Sequence, residues 1–184
     1  MASLLGSGFF QARPDNLSLA RYISRRQLRY TRRVPTEPDD DEIVTWWGLV
    51  IEGYLATQDR LMGEIADRFD LAPASFDILL RLVRSPENRM PMTRLAKEAA
   101  LSSGGFTKVA DRLAAADLIH RVPSSADRRV TYACLTEHGA DVAEQARKAC
   151  ADILRRTVLE PLGPQASESL AEAMRTLREA NAPT

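Results

Sequence analysis

The stretch from Leu95 to Thr136 changes its residue periodicity partway along, and this change restricts the possible folds more than any other feature of the sequence. In its first half, apolar residues share one side of a helix that advances about 100° per residue. These residues are Phe106, Val109, Ala110 and Leu113. Residues 130–135 are β-branched, aromatic or small, which is typical of a strand. They follow a turn-like Pro123-Ser124-Ser125. The stretch therefore predicts helix, turn, helix and then a two-stranded hairpin.

The second predicted helix has an outer face without large apolar side chains. This face holds Gly104, Thr107, Lys108, Asp111, Arg112 and Ala115. Ser102 or Ser103 can cap the helix by accepting a backbone N–H. Gly104 and Gly105 weaken the helix but remove side chains where another surface could approach. The face fits either a binding surface or the solvated side of an ordinary amphipathic helix.

The predicted hairpin carries Arg128 and Arg129 side by side at its tip. An arginine offers a planar fork of donors, and a narrow minor groove concentrates negative potential, so such a tip suits contact with nucleic acid. Asp127 would repel phosphate, and we expect it to hold one of the arginines in an ion pair. Taken alone, the same tripeptide also fits a solvated surface turn.

Together these elements resemble the MarR family of winged-helix transcriptional regulators. The matching elements, in order, are Leu95-Ala96, Asp111-Arg112-Leu113, Leu118-Ile119, Arg121, Asp127-x-Arg129 and Leu135-Thr136-x-x-Gly139. With flanking helices the resemblance covers roughly 41–180. The sequence departs from the family pattern at Asp117, where the family often has glycine, and at the Gly104-Gly105 pair. The second departure bears on sequence preference.

The resemblance implies a mainly α fold with a small β-hairpin wing, in which a winged helix–turn–helix domain joins a helical dimerisation region. The winged helix would span about 71–136, and the dimerisation helices about 41–69 and 137–181. Such a protein would be a homodimeric repressor of a palindromic double-stranded DNA operator. The predicted DNA-binding residues are Pro91, Thr93, Arg94, Ser102, Ser103, Gly104, Thr107, Lys108, Arg112, Ser124, Ser125, Asp127, Arg128 and Arg129.

The resemblance also implies release from DNA by a small effector, often an aromatic or phenolic acid. Candidate lining residues are Trp46, Trp47, Tyr54, Phe76 and Asp77. Two alternatives remain open. One is a thiol- or oxidation-responsive regulator of the same fold, which would use Cys134 or Cys150. The other is a winged-helix module that binds protein and not DNA.

Charge is balanced overall, with 25 basic and 25 acidic residues, but it is distributed unevenly. Residues 71–135 hold ten Lys and Arg against six acids, a net +4 over the predicted winged helix. A phosphate-facing surface needs such a local excess. We find no nucleophile–base motif, zinc-ligand spacing or phosphate-binding glycine loop, so we expect no enzyme, metal or cofactor. A cytoplasmic protein without a membrane segment is expected.

Residues 1–40 form an N-terminal extension outside the resemblance. We expect a partly mobile start and a possible basic helix over 17–33, which would add to a dimer or touch DNA. Residues 34–70 carry ten acids and two arginines. Downstream, we expect one helix from Thr136 to about Val158, a break at Pro161-x-Gly163-Pro164, and a final helix over Ser167–Asn181.

Overall fold

The structure is a computed structural model, and it describes residues 37–182. The expectations for 1–36, including the basic helix at 17–33, lie outside this range. The described chain divides into two compact units, with residues 37–60 in one and 61–182 in the other. The helix Asp40–Phe69 contributes to both.

Helices dominate the described chain, and three short strands interrupt them. In order, the elements are α1 (Asp40–Phe69), α2 (Pro73–Val83), a 3-10 turn (Pro86–Asn88), β1 (Arg89–Pro91), α3 (Met92–Glu98), α4 (Ser103–Ala115), β2 (Ile119–Pro123), β3 (Thr131–Leu135), α5 (Glu137–Leu154), a π-helical segment (Arg155–Leu159) and α6 (Glu160–Ala180). The predicted mainly α fold with a small wing is confirmed.

Helix α1 begins with a reciprocal cap. The Asp39 carboxylate accepts the backbone N–H of Glu42 at 2.8 Å, and the Glu42 carboxylate accepts that of Asp39 at 3.3 Å. Such an exchange satisfies donors that a helix start leaves unpaired. In residues 40–60, several large apolar side chains are exposed to solvent. They are Ile43, Val44, Trp46, Trp47, Leu49, Val50 and Tyr54.

The core lies within residues 61–182, and α2 runs through it. Every residue from Ser75 to Leu82 is buried, including the polar Ser75, Asp77 and Arg81. Helix α2 therefore has no solvated side over most of its length. Large side chains that are almost wholly buried around it come from α1, α3, α4 and α5. They are Ile65, Leu95, Leu113 and Ile153.

The wing contains one more strand than the sequence predicts. The three strands are antiparallel in the order β1-β3-β2, so β3 lies in the centre. Strand β2 pairs with β3 from Ile119↔Leu135 to Pro123↔Thr131, and β1 adds Met90↔Ala133 on the other side. The expectation of a two-stranded hairpin was therefore incomplete. Three residues are too few to show a period, and partner pairing alone makes them a strand.

The C-terminal helices also differ from the expected boundaries. Helix α5 has the predicted cap, since Thr136 Oγ1 accepts the N–H of Gly139 at 2.8 Å. It ends at Leu154, and the π-helical segment then leads directly into α6 at Glu160. Gly163 has non-helical backbone angles, φ +76° and ψ 164°, so the predicted break at Pro161-x-Gly163-Pro164 is confirmed. The helix resumes at Pro164, three residues before the predicted start at Ser167.

Ala100, in the turn between α3 and α4, has φ +52°. A left-handed backbone costs an L-residue about 1–2 kcal/mol, and glycine avoids this cost. Glycine also loses more chain entropy on folding, by about 0.4–1 kcal/mol. We expect Ala100→Gly to raise the free energy of unfolding by about 0.5–1 kcal/mol in urea denaturation. Ala114→Gly, inside α4, is the control and should lower it. A loss of stability with Ala100→Gly would contradict the argument.

Candidate nucleic-acid interface

Helix α4 is fixed by its cap and by one buried side. Ser102 is the cap, and its Oγ accepts the N–H of Gly105 at 3.2 Å. Phe106, Ala110 and Leu113 are buried, as predicted. The opposite face stands in solvent, and its exposed residues are Ser103, Gly104, Thr107, Lys108, Asp111 and Arg112. A Cβ added at Gly104 would meet nothing within 4 Å, so a second surface has room to approach the backbone there.

The tip of the wing is held by short-range hydrogen bonds. Ser124 Oγ accepts the N–H groups of Ala126 and Asp127, both at 3.3 Å. Asp127 then accepts three hydrogen bonds from Arg129, one from its backbone N–H and two from its guanidinium, at 3.0–3.1 Å. The prediction that Asp127 holds one arginine is confirmed, and that arginine is Arg129. Hydrogen bonding to Arg129 lowers the pKa of the Asp127 carboxyl below its ordinary value.

An ion pair joins the outer face of α4 to the wing. Arg121, on β2, donates to the Asp111 carboxylate at 2.5 Å. Both residues belong to the family resemblance, but the sequence alone predicts no role for either. Their opposite charges allowed an ion pair, but nothing in a separation of ten residues indicated that the two side chains meet. The contact links strand β2 to the exposed face of α4.

The exposed cations fall into two groups. Arg94, Arg121 and Arg129 are each held by a carboxylate, from Glu98, Asp111 and Asp127 respectively. For Lys108, Arg112 and Arg128, the structure shows no ion pair within residues 37–182. The first group is oriented by the protein itself. The second group keeps its full charge available for an anionic partner.

The remaining predicted contact residues lie at the start of α3 and along the wing. Pro91 ends β1 and precedes α3, while Thr93 and Arg94 are exposed in the helix's first turn. Ser125 and Arg128 are exposed at the wing tip, and Ser124 is half-buried there.

The predicted effector residues are divided between the two compact units. Phe76 is wholly buried in the core of residues 61–182. Asp77, its neighbour on α2, is buried against Arg81 at 3.0 Å, and this burial raises its pKa. Trp46, Trp47 and Tyr54 belong to the unit of residues 37–60 and are partly exposed. Phe76 and Asp77 thus already have packing or ionic partners within their own unit.

Metal-ligand clusters and membrane-spanning helices are both absent from the described residues. No three His, Cys, Asp or Glu side chains in residues 37–182 come together as metal ligands would. Within the same range, we found no helix with the length and apolar character needed to cross a bilayer.

Both cysteines are buried, Cys134 in β3 and Cys150 in α5. Burial raises both thiol pKa values above their ordinary value, so less reactive thiolate is present near neutral pH. We expect iodoacetamide at pH 7.5 to label the native protein at least ~10-fold more slowly than the urea-unfolded protein. Mass spectrometry of the alkylated peptides measures this rate. Fast labelling of either cysteine in the native state would favour the thiol-responsive alternative.

Helix α4 is capped and has an exposed cationic face. The short helix α3 precedes it, and the β2–β3 hairpin, to which β1 adds a third strand, follows it. This arrangement defines a winged helix–turn–helix protein. Comparison with known proteins narrows this class. The sequence model of the MarR family matches residues 69–130. Over these residues the chain is similar to the MarR family.

Individual proteins of similar sequence or structure carry the same family name or a related one. The chain is 33% identical over 86 residues to the HTH-type transcriptional regulator MhqR of Bacillus subtilis, across 47% of this chain and 57% of MhqR. It thus spans little more than half the length of that curated relative. Among solved structures, Sco3205 of Streptomyces coelicolor, a MarR family regulator in complex with DNA, superposes with TM-score 0.71 and 27% identity over 82% of this chain and 94% of its own. AbsC, a MarR family regulator from the same organism, superposes with TM-score 0.69 and 25% identity over 79% of this chain and 97% of AbsC.

Proposed function

We propose that the protein is a sequence-specific DNA-binding regulator, a homodimeric repressor of a palindromic operator. The observation that carries the proposal is the exposed face of α4, which is small, polar and cationic. This face belongs to the same compact unit as the arginine tip of the wing. An ordinary solvated helix face needs neither the open backbone at Gly104 nor the pair that links Asp111 to Arg121. The DNA complex of Sco3205 supports this proposal.

In the proposed complex, each protomer inserts the Ser102–Arg112 face into a major groove. Arg128 and Arg129 follow an adjacent minor groove, where closely spaced phosphates attract them. The dimer axis sets two half-sites about one helical turn apart. Side chains that can read base edges are Ser102, Ser103, Thr107 and Lys108. The other cations and the start of α3 position the protein on the backbone and carry little sequence information.

The proposed dimer uses apolar side chains that the described chain leaves exposed. On α6, these are Leu162, Leu170, Met174 and Leu177, each 37–48% exposed. The last three recur at intervals of four and three residues, which aligns them along one side of the helix. A contiguous apolar stripe of this kind is typical of an interface. Met174→Arg should yield a monomer in sedimentation velocity, whereas Glu172→Arg should not.

The proposed effector is a small aromatic or phenolic acid. NadR in complex with 4-hydroxyphenylacetate shares the fold, with TM-score 0.61 and 18% identity over 83% of this chain. The predicted lining residues Trp46, Trp47 and Tyr54 supply aromatic surface. Binding of Phe76 or Asp77 to an effector would require α2 to give up contacts it already makes. The effector would release DNA if it bound more tightly to a conformation of the protein that does not fit the operator.

The decisive experiment titrates full-length protein onto duplexes from its own promoter region and onto scrambled duplexes, at several salt concentrations. We expect one palindrome to bind with a nanomolar Kd, at least ~1000-fold tighter than scrambled DNA. Binding should weaken steeply with salt as phosphate contacts release counterions. Addition of 4-hydroxyphenylacetate and related acids to the same assay tests the effector class.

The variant Arg128→Ala sharpens this test. Arg128 is exposed and has no ion pair among the described residues, so its whole charge is available to a phosphate. We expect Arg128→Ala to bind all duplexes more weakly. The slope of the logarithm of the binding constant against the logarithm of the salt concentration should also become smaller in magnitude by about 1 for each wing that contacts DNA. Arg155→Ala, on the π-helical segment, is the control and should bind as the wild type does. An unchanged slope with Arg128→Ala would remove the wing from the interface.

A winged-helix module that binds protein and not DNA is the competing proposal. The net charge of +4 over residues 71–135 argues against it. If no duplex binds even at low salt, the DNA-binding proposal fails and this alternative replaces it.

A further inference from the structure

Four charged side chains form a continuous chain from the core of the winged helix to its surface. Asp77 and Arg81 lie on α2, and Arg94 and Glu98 lie on α3. Arg81 Nε donates to Asp77 Oδ2 at 3.0 Å, and Arg81 Nη1 donates to Glu98 Oε2 at 3.4 Å. Arg94 Nε donates to Glu98 Oε1 at 2.7 Å. The two acids and two bases together carry no net charge.

Glu98 is the member that links buried charge to exposed charge. The Arg81 side chain is 5% exposed and that of Arg94 is 66% exposed, while Glu98 lies between them at 28%. Each Glu98 oxygen serves one arginine. A carboxylate can do this because its two oxygens are both acceptors. Since Arg81 is itself held by Asp77 inside the core, the Glu98 carboxylate has a fixed position, unlike an ordinary surface glutamate.

The geometry at Arg94 has a direct consequence for its free donors. The contact to Glu98 uses Nε, and no other contact of this side chain is shown within residues 37–182. Its terminal Nη groups therefore remain available to an acceptor outside the chain. A long, exposed arginine normally loses side-chain entropy when it binds an anion. An arginine already oriented by a fixed carboxylate loses less.

We propose that Glu98 is a positioning residue for DNA binding, which orients Arg94 toward the phosphate backbone and is itself anchored by the buried Arg81–Asp77 pair. This inference rests on the proposed function, because it assumes that the surface bearing Arg94 contacts DNA. According to this proposal, an acidic residue strengthens binding to a polyanion, so removing Glu98 should weaken DNA binding. Charge repulsion alone predicts that removing Glu98 should strengthen it, so experiment can distinguish the two explanations.

The test is a double-mutant cycle on operator affinity, with the full-length protein and the duplex found in the promoter titration. We expect Glu98→Ala to weaken binding about threefold to tenfold, the scale of an oriented ion pair. In an Arg94→Ala background, Glu98→Ala should have no further effect, because the arginine it orients is absent. Glu98→Gln retains one acceptor oxygen and should fall between wild type and Glu98→Ala. Glu137→Ala removes an exposed acid of the same compact unit and should not weaken binding.

The outcomes separate the possible failures. If Glu98→Ala weakens binding equally in both backgrounds, the residue acts through the fold and the inference is overturned. Tighter binding by Glu98→Ala would show that charge repulsion dominates, which also overturns it. If the wild type binds its duplex and Arg94→Ala binds equally well, the inference fails while the proposed function stands. If the wild type binds no duplex, both fail together.

Discussion

Replacing Gly139 with alanine is expected to lower the free energy of unfolding by about 3 kcal/mol, a large effect for one methyl group. An ideal Cβ at this position would lie 1.8 Å from the carbonyl oxygen of Leu118 and 2.7 Å from its carbonyl carbon. Both are backbone atoms, so no side-chain rotation relieves the clash. The first turn of α5 would have to move away from the start of β2.

That movement would break other contacts at the same place. The backbone N–H of Thr136 donates to Leu118 O at 3.2 Å, and its hydroxyl donates to Asp117 O at 2.6 Å. These bonds hold the α5 cap against the end of the helix–turn–helix. Separation of the two backbones therefore costs hydrogen bonds as well as packing.

Urea denaturation followed by circular dichroism measures the effect. Gly104→Ala is the matched control, because a Cβ at Gly104 meets nothing within 4 Å. It should leave stability unchanged or raise it by about 0.5 kcal/mol, as alanine favours the helix. If Gly139→Ala were as stable as Gly104→Ala, the close approach between Gly139 and Leu118 would not exist in solution.

The second large effect is expected at the buried Asp77–Arg81 pair. Asp77→Ala leaves the Arg81 guanidinium buried, with only the longer contact to Glu98. Removing one partner of a buried pair costs about 3–5 kcal/mol. We expect a loss of this size in denaturation at pH 7. Asp152→Ala, which removes an exposed acid from its pair with Arg155, should cost less than about 1 kcal/mol.

The pair is not expected to make a large net contribution to stability. Burial raises the pKa of Asp77 above its ordinary value, despite the opposing effect of the Arg81 charge and hydrogen bond. The folded protein then binds this proton more tightly than the unfolded chain does. The contribution of Asp77 to stability is full below its unfolded pKa and is lost as pH rises through its folded pKa.

Replacing Asp77 and Arg81 together distinguishes the cost of breaking the pair from its net contribution to stability. If ionised Asp77 is costly to bury, the double variant Asp77→Val/Arg81→Met should be close to the wild type in stability. It should also be at least as stable as the more stable of the two single variants, Asp77→Val and Arg81→Met. A double variant as unstable as Asp77→Ala would show instead that the ion pair is strongly stabilising. Operator affinity of the same double variant would also be reduced if Arg81 anchors Glu98 as proposed.

Local patterns in the sequence were sufficient to predict helix α4 and the wing hairpin. The apolar spacing of Phe106, Ala110 and Leu113 specifies one buried side, and Ser102 specifies the start. The Asp127–Arg129 pair was also predictable, because both residues belong to one short turn. In each case the interacting groups are close in sequence, so residue types and spacing contain the necessary information.

Features that depend on distant partners were not predictable in the same way. Strand β1 exists through its pairing with β3, more than forty residues away. Spacings of four residues could have suggested Asp77–Arg81 and Arg94–Glu98 separately. The Arg81–Glu98 contact that joins these two pairs requires α2 and α3 to lie close together, and no local pattern in the sequence specifies this.

The central position of β3 limits how this protein can be divided for engineering. A fragment that stops at Ala115 contains both helices of the helix–turn–helix but leaves Met90 without its β3 partner Ala133. A fragment that stops at Leu135 restores the sheet but omits the Thr136 and Gly139 contacts to Asp117 and Leu118. A graft of the exposed face of α4 onto another scaffold must therefore extend at least from Arg89 into α5. Transferring α4 alone would carry over its exposed face without the strand pairing and contacts around it.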